Sequence, residues 1–437
     1  MKRAMAICLA GLFSSGALAA DLMQVYRDAL ANDAKFAAAR AQREAGQEKV
    51  VQGLAGLLPQ IGANASSTWN QAEARSAQVR IDRDYNSNGY AVQLTQPLFR
   101  WQNWVEYKQG ELRTALADSQ FGLAQQDLVL RVAAAYFDVL NAQDALAAVT
   151  QLRTAAAEQR QLANASFEVG TVTITDVHEA QSRFDLAVAQ EIAAQNQLEV
   201  ARQTLAQIIG KQPEPLAGLR TGVELQRPQP DDIADWVSAA EAGSLGVQAQ
   251  QITREIAVRE VERAQAGHLP TVDIVASHAL NNRPAISTER LEATTIGLQL
   301  NVPLYSGGRT SSVTRESAAL RMKADSDLED ARRTAALSAR QSWLGVTSGL
   351  AQVKALEAAQ VSSTSALEAN KLGYEVGVRI NIDVLNAQTQ LADTLQRLAR
   401  ARYDTLLAQL RLKAAAGTLG EEDVQAINTL LTIEPPR

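Results

Sequence analysis

The chain carries one structural unit written twice, and this duplication limits its fold more than any other feature. Aligning the halves pairs Asp21 with Asp232, Pro59 with Pro270, Pro97 with Pro303, Gly170 with Gly377, Asp176 with Asp383 and Gly210 with Gly417. The offset stays between 206 and 211 throughout, so both halves keep the same order of elements. Self-similarity at so long a period marks a duplicated unit. Length alone, at about 150 residues per domain, would predict two or three unrelated domains. The repeat replaces that expectation with two related halves, 20–210 and 232–417, joined by a linker over 211–231 and closed by a segment over 418–437.

Each half opens on a helical segment, Leu22 to Leu57 and Ile233 to Gly267, with Asp21 and Asp232 as N-caps. A strand hairpin comes next, over 60–99 and again over 271–305. In the first, Ile61, Ala63, Ala65 and Trp69 alternate with Gly62, Asn64, Ser66 and Asn70, and Tyr90, Val92 and Leu94 alternate with Ala91, Gln93 and Thr95. The second repeats the pattern with Val272, Ile274 and Ala276, and then with Ile296, Leu298, Leu300 and Val302 against Gly297, Gln299 and Asn301. Period-two alternation predicts strands with one apolar and one polar face. Pro59, Pro97, Pro270 and Pro303 stand at the hairpin ends, where a missing ladder donor is tolerated.

Proline-free, alanine-rich stretches then predict two long helical hairpins, 104–210 with its tip near 168–175 and 308–417 with its tip near 375–382. At 1.5 Å per residue, the first arm extends for about 95 Å if unbroken. Leu128, Val132, Ala135, Val139, Ala142, Leu146 and Val149 recur at spacings of four and three, the seam of a coiled coil. The tips themselves are near-copies, "FEVGTVTITDVHEAQ" from Phe167 and "YEVGVRINIDVLNAQ" from Tyr374.

Lys2 and Arg3, the apolar "AMAICLAGLF" and the "ALA" ending at Ala19 read as a secretory signal peptide over 1–19. Its removal takes the formal charge from −6 to −8 and removes Cys8, the one cysteine, leaving no thiol chemistry and nothing that suggests nucleic-acid binding. No apolar run after it approaches the roughly 18 residues of a membrane-spanning helix. Entry into a membrane must therefore use strands in a closed barrel, because lipid offers no partner to an open strand edge. Two hairpins supply about four strands, whereas the smallest outer-membrane barrels have about eight. Several copies must share one barrel, with the helical hairpins projecting from it as a hollow cylinder.

The duplicated helix, hairpin and helical-hairpin order, the paired "QPLF" and "VPLY", the tips "EVGTVTITDV" and "EVGVRINIDVLNAQ" and the close "RYDTLLAQLRLKAAAGTLGEEDVQAIN" resemble the TolC-type proteins of the outer-membrane factor family. The resemblance covers essentially everything after the signal. It implies an α+β membrane protein with a shared β-barrel of about four strands per chain, continuous with a long α-helical periplasmic tunnel. It also implies a homotrimer in the outer membrane of a Gram-negative bacterium that docks a periplasmic adaptor and an inner-membrane ABC or RND transporter. The function implied is the exit duct of a type I secretion or efflux system.

Site roles are implied by the same resemblance. Tyr374 and Arg379 match the family's closed-state linking residues, with Thr175 and Asp176 as their partners in the first tip. The family's ring of two acids at the pore constriction falls on Asp383 and Asn386, so one acid is replaced here and a single ring of carboxylates with weaker cation preference is expected. The adaptor-docking turns match Val169, Gly170, Val376 and Gly377, although Thr171 departs from the family's frequent leucine. Phe99, Trp101 and Trp104 fall where strand meets helix, the depth at which interfacial aromatics belong.

Signals for enzyme chemistry are thin. His178, His268 and His278 are scattered, and "HEAQS" is half of a zinc-protease motif without its second histidine. No phosphate loop, nucleophile elbow, metal cluster or cofactor motif is present. Two alternatives stay open: a dedicated drug or metal efflux exit of an RND-type pump, and a poreless periplasmic coiled-coil or adaptor protein. The strand hairpins argue against the second, and the unbroken segment after Gly417 leans toward a secretion-type exit.

Overall fold

The computed structural model describes residues 19–75, 80–220, 222–285 and 288–432. The expected signal peptide lies, apart from Ala19, outside the described residues, as do the last five positions of the closing segment. The described residues form two compact units, and each unit draws on both repeats. One comprises 39–122 and 245–333, the other the N-terminal residues to 38 together with 123–244 and 334–432.

The first unit is built on a sheet. Strands β1 (Gln60–Arg75) and β2 (Arg80–Phe99) form the first hairpin, β4 (Thr271–Ala285) and β5 (Thr288–Asn301) the second. All pair antiparallel in the order β1-β2-β4-β5, so the two repeats share one sheet through β2 and β4. Directly opposed residues share a face. The register therefore sets Ile61, Leu94, Ala276 and Ile296 in one row and Ala63, Val92, His278 and Thr294 in the next. Ile274 with Leu298 and Phe99 with Val272 and Leu300 extend the same face downward. Asn64, Gln93, Ser277 and Thr295 represent the opposite, polar face.

The apolar face is exposed in the chain: Ile296 is 79 % and Leu298 68 % accessible. From Leu300 to Glu292 it climbs eight residues, about 27 Å along the strand and about 21 Å at a 40° tilt, close to the height of a lipid-facing band. β1 and β5 are paired on one side only. Pro97, unable to donate, sits at the register shift that ends the β2–β4 pairing. At that point Arg100 makes two hydrogen bonds, 2.7 and 2.6 Å, to the buried carboxylate of Asp273.

Helices α2 (Ala34–Ala55), α3 (Trp101–Glu168), α6 (Leu245–Gln265) and α7 (Arg309–Glu375) contribute their sheet-proximal parts to this unit. Gly53 and Gly110 bring α2 and α3 together. A Cβ on Gly53 would lie 2.8 Å from the Tyr107 backbone, and one on Gly110 2.6 Å from the Lys49 carbonyl.

The second unit holds α1 (Leu22–Asn32), the remainder of α3 and α7, α4 (Ile174–Ile209), α5 (Ile233–Gly243), α8 (Asn381–Ala415) and α9 (Glu421–Asn428). The seam expected on α3 is its core: Leu128, Val132, Ala135, Val139, Ala142 and Val149 are buried, Leu146 half so. Tyr136, wholly buried, donates its hydroxyl to the carbonyl of Ala217 (2.6 Å), with the Ala20 carbonyl 3.3 Å from the same oxygen, which ties the linker and the N-terminal segment to α3. Phe137 stacks on Tyr403 of α8, whose hydroxyl donates to Asp144 at 2.7 Å.

Several boundaries differ from those expected. The segment from Leu22 to Leu57 is two helices broken at Asp33, because the Asp33 carboxylate accepts the Phe36 N–H at 2.6 Å and two hydrogen bonds from Arg131 at 2.9 and 3.1 Å. Ser244 breaks the equivalent segment of the second repeat. The helical arms start at Trp101 and Arg309 rather than at 104 and 308, and the second strand hairpin ends at Asn301 rather than at 305. The linker and the closing segment meet in a small antiparallel sheet of β3 (Gly218–Leu219) and β6 (Leu431–Thr432), a pairing of residues more than 200 positions apart.

The Arg131 guanidinium, helped by the Phe36 N–H, holds the Asp33 carboxyl below the usual carboxylate range. A carboxylate whose pKa is depressed in the folded state stabilises it above the unfolded value of about 3.9 and loses that contribution as pH falls through the lower folded value. Asp33→Asn is expected to lower stability at pH 7 by about 1–3 kcal/mol. The deficit relative to wild type should shrink on acidification below about pH 4, as read by denaturant unfolding at both pH values.

Candidate functional site

The two helical tips are built on the same backbone device. At the first, Gly170 takes φ +80°, its N–H reaches the Phe167 carbonyl (2.9 Å) and the Thr171 N–H reaches Ser166 (2.8 Å). At the second, Gly377 takes φ +78°, with Gly377 to Tyr374 at 3.1 Å and Val378 to Gly373 at 2.9 Å. Both patterns end a helix by satisfying its last carbonyls, and both need the left-handed conformation that glycine adopts without strain.

Beyond each glycine the two tips diverge. Helix α4 is capped by Thr173: its hydroxyl accepts the Asp176 N–H (3.4 Å), and the Thr173 N–H donates to the Asp176 carboxylate (2.8 Å). The Thr173 hydroxyl, donating to the same carboxylate at 2.7 Å, holds the Asp176 pKa below its ordinary range, and the Thr173 N–H adds to the effect. In the second repeat the cap position is Ile380, which has no side-chain oxygen. The equivalent acid, Asp383, is therefore not held by its own helix end and lies 3.6 Å from the Arg379 guanidinium.

Glycine again makes the geometry possible. A Cβ on Gly373 would sit 2.7 Å from Cγ of Arg379, so the bare helix surface there is what lets the arginine stem fold back. Sequence reading singled out Tyr374 and Arg379 but gave Gly373, the residue before Tyr374, no role of its own.

The expected Arg379 to Asp176 link is not made within the chain. Arg379 turns to Asp383 and Asp176 to Thr173, leaving Thr175 exposed and Tyr374 half-buried at the end of α7. Asn386, one turn beyond Asp383, accepts a hydrogen bond from Nη2 of Arg183 on α4 at 3.1 Å, a partner sequence reading did not foresee. Behind this contact Ala156, Ala187 and Leu385 form a buried cluster with Leu152, Phe184 and Ile382, which joins α3, α4 and α8. Asn381 and Gln388, one heptad apart on α8, are buried, yet Oδ1 and Oε1 respectively have no hydrogen-bond partner.

The turn residues present apolar surface. Val169 is 74 % accessible and Val376 64 %, and Phe167, Ile174, Val378 and Ile380 are also exposed. In the sheet-bearing unit, Phe99 closes β2, Trp101 opens α3 and Trp104 comes one turn later, all exposed. Trp104 packs against Tyr107 and Lys108, the latter with its ammonium 5.3 Å from the indole centroid. Leu304 and Tyr305, in the matching coil of the second repeat, are the most exposed large apolar residues described. No helix among the described residues is long and apolar enough to cross a membrane, and no group of His, Cys, Asp or Glu there could hold a metal ion.

The family model described as "Outer membrane efflux protein" matches residues 25–211 and 236–418, one match per repeat. Outer membrane protein TolC of Vibrio cholerae is 35 % identical over 97 % of this chain and 96 % of its own length. Alkaline protease secretion protein AprF of Pseudomonas aeruginosa is 32 % identical over 95 % of this chain and 88 % of its own. Among solved structures, the Campylobacter jejuni CmeC outer membrane channel superposes with a TM-score of 0.81 at 15 % identity, covering 94 % of this chain and 89 % of that one. The Vibrio cholerae outer membrane protein VceC gives 0.77 at 18 % identity, with 91 % and 96 % covered.

The difference between the two tips is testable at one position. Ile380→Thr supplies the missing cap oxygen and is expected to draw Asp383 into a capping box like that of Asp176, stabilising the start of α8 by about 1 kcal/mol. The Asp383 amide should then exchange its hydrogen about five-fold more slowly, while the Asp176 amide stays unchanged.

Proposed function

Because the chain belongs to the outer membrane efflux protein family and is an outer-membrane exit duct for type I secretion and efflux, we propose that three copies complete the site which one chain leaves open. The observation that carries this reading is the four-stranded sheet with one exposed apolar face and unpaired outer edges on β1 and β5. In lipid those edges must be paired. Joining β5 of one copy to β1 of the next gives a closed barrel of about twelve strands, within the observed range for outer-membrane barrels. The face bearing Ile61, Val92, Ile296 and Leu298 meets lipid and the face bearing Asn64, Gln93 and Ser277 lines the lumen. Phe99, Trp101 and Trp104 mark the periplasmic boundary of the outer membrane.

The regulated end of the duct is the pair of tips. Asp383 and Asn386 face the constriction, one carboxylate per copy, and Thr175, Asp176, Tyr374 and Arg379 form the closed-state links between neighbouring hairpins. The single-chain geometry supports different duties for the hairpins: Asp176 is oriented by its own cap and keeps lone pairs for a neighbouring arginine, whereas Asp383 is paired with Arg379 across a loose 3.6 Å. The exposed valines beside Gly170 and Gly377 offer a dry contact for a periplasmic adaptor. An inner-membrane transporter supplies the energy, since the duct has no means of its own. The protease-secretion relative supports a secreted protein as cargo.

Single-channel recording of the purified protein in a planar bilayer tests the reading. Wild type should give small steps from a trimer; Arg379→Ser should enlarge them several-fold by loosening the charge-assisted links, and Asp383→Ala should shift selectivity toward anions. Folded, trimeric protein that forms no channel would sink the proposal.

A further inference from the structure

Asn386, at the position where the family resemblance leads one to expect an acid, is a hydrogen-bond acceptor for Arg183, and this contact changes both the charge and the mechanics of the tip. Arg183 lies on α4, in the first helical hairpin, and Asn386 on α8, in the second. Like the bond between Tyr403 and Asp144, it joins the two hairpins side chain to side chain, but it does so near the tips. Arg183 has acids on its own helix, Glu179 one turn earlier and Asp185 two residues later, and Asp185 accepts the Gln181 amide instead. The guanidinium is bonded across to α8. Its direction is set by packing: Phe184, the next residue, is in the apolar cluster with Leu385 and lies under the Arg160 guanidinium, 4.1 Å from the ring centroid.

We propose that Arg183 is a selectivity-determining and hairpin-tethering residue of the constriction, a reading that rests on the placement of Asp383 and Asn386 there. Arg183 brings a full positive charge to the level at which an acid is replaced by a neutral amide. Together with Arg379, 3.6 Å from Asp383, it sets two guanidinium groups beside the one carboxylate placed at the constriction in each copy. Three such sets around an axis offset the field of the Asp383 ring, so the closed constriction does not favour cations and does not bind divalent ions tightly. Anionic solutes and acidic polypeptide segments then meet no electrostatic barrier at this level. The amide acceptor also suits release: a neutral acceptor binds a guanidinium more weakly than a carboxylate does. The second hairpin is therefore tied to the first by a contact that can break without separating an ion pair.

The test compares wild type, Arg183→Gln and Asn386→Asp as folded trimers in planar bilayers under a potassium chloride gradient. Arg183→Gln is expected to raise the potassium-to-chloride permeability ratio about three-fold and to increase conductance. Asn386→Asp should raise the same ratio while lowering conductance, because a carboxylate tightens the tether. The permeability ratio is the decisive reading, since a residue that merely supported packing would leave it unmoved. Wild-type channels whose ratio and conductance are unchanged in both variants would overturn this proposal while leaving the exit-duct reading intact. Absence of channels in wild type would instead count against the shared pore on which it rests.

Discussion

Backbone hydrogen bonding at the strand edges is the constraint on which the rest of this structure depends. Four strands in the order β1-β2-β4-β5 leave the outward groups of β1 and β5 without partners, and the exposed face carries Ile296, Leu298 and Leu300. Water could satisfy the edges but not the face, and lipid the face but not the edges. Association of copies resolves both at once. The duplication of the sequence has the same root: two hairpins per chain give each copy an even share of strands in a single sheet.

The helical unit is governed by packing rather than by closure. Alanine and valine along the α3 seam bury without bulk, and the tyrosines are where polar bonds enter the core, Tyr136 to backbone carbonyls and Tyr403 to Asp144. Toward the tips the buried set is mostly small, with Ala156, Ala163, Ala180 and Ala187 beside Val384 and Leu385. A helix end packed through small side chains, with fewer apolar contacts per residue, is where local opening costs least. Repetition then supplies asymmetry, since one residue, threonine at 173 and isoleucine at 380, decides whether the next aspartate is fixed by its own helix end or left to a neighbouring arginine.

Much of the fold was legible in the sequence because it rests on local periodicity. Alternation marked all four long strands, heptad spacing marked the α3 core, and the glycines marked both tips. The breaks at Asp33 and Ser244 were not legible, because nothing local distinguishes a capping aspartate within a helical pattern. Asp33 breaks the helix there because Arg131, 98 residues away, holds its carboxylate. The β3–β6 pairing was missed for the same reason: two-residue strands carry no pattern, and their partners are far apart in the chain. At the site, the residue types at Tyr374, Arg379, Asp383 and Asn386 were readable by resemblance, but their partners within the chain were not.

By itself the sequence determined that this chain has two equivalent halves, amphipathic strands too few to close alone, and paired glycine turns between long helices. Those properties arise from residue order over short windows, where backbone geometry and side-chain period decide the outcome. Tertiary structure alone decided that both hairpins share one sheet through β2 and β4, that Asp383 faces Arg379 while Asp176 is sealed in its cap, and that Arg183 reaches Asn386. Each of these depends on which surfaces meet in space, a competition among many distant partners that no local pattern encodes.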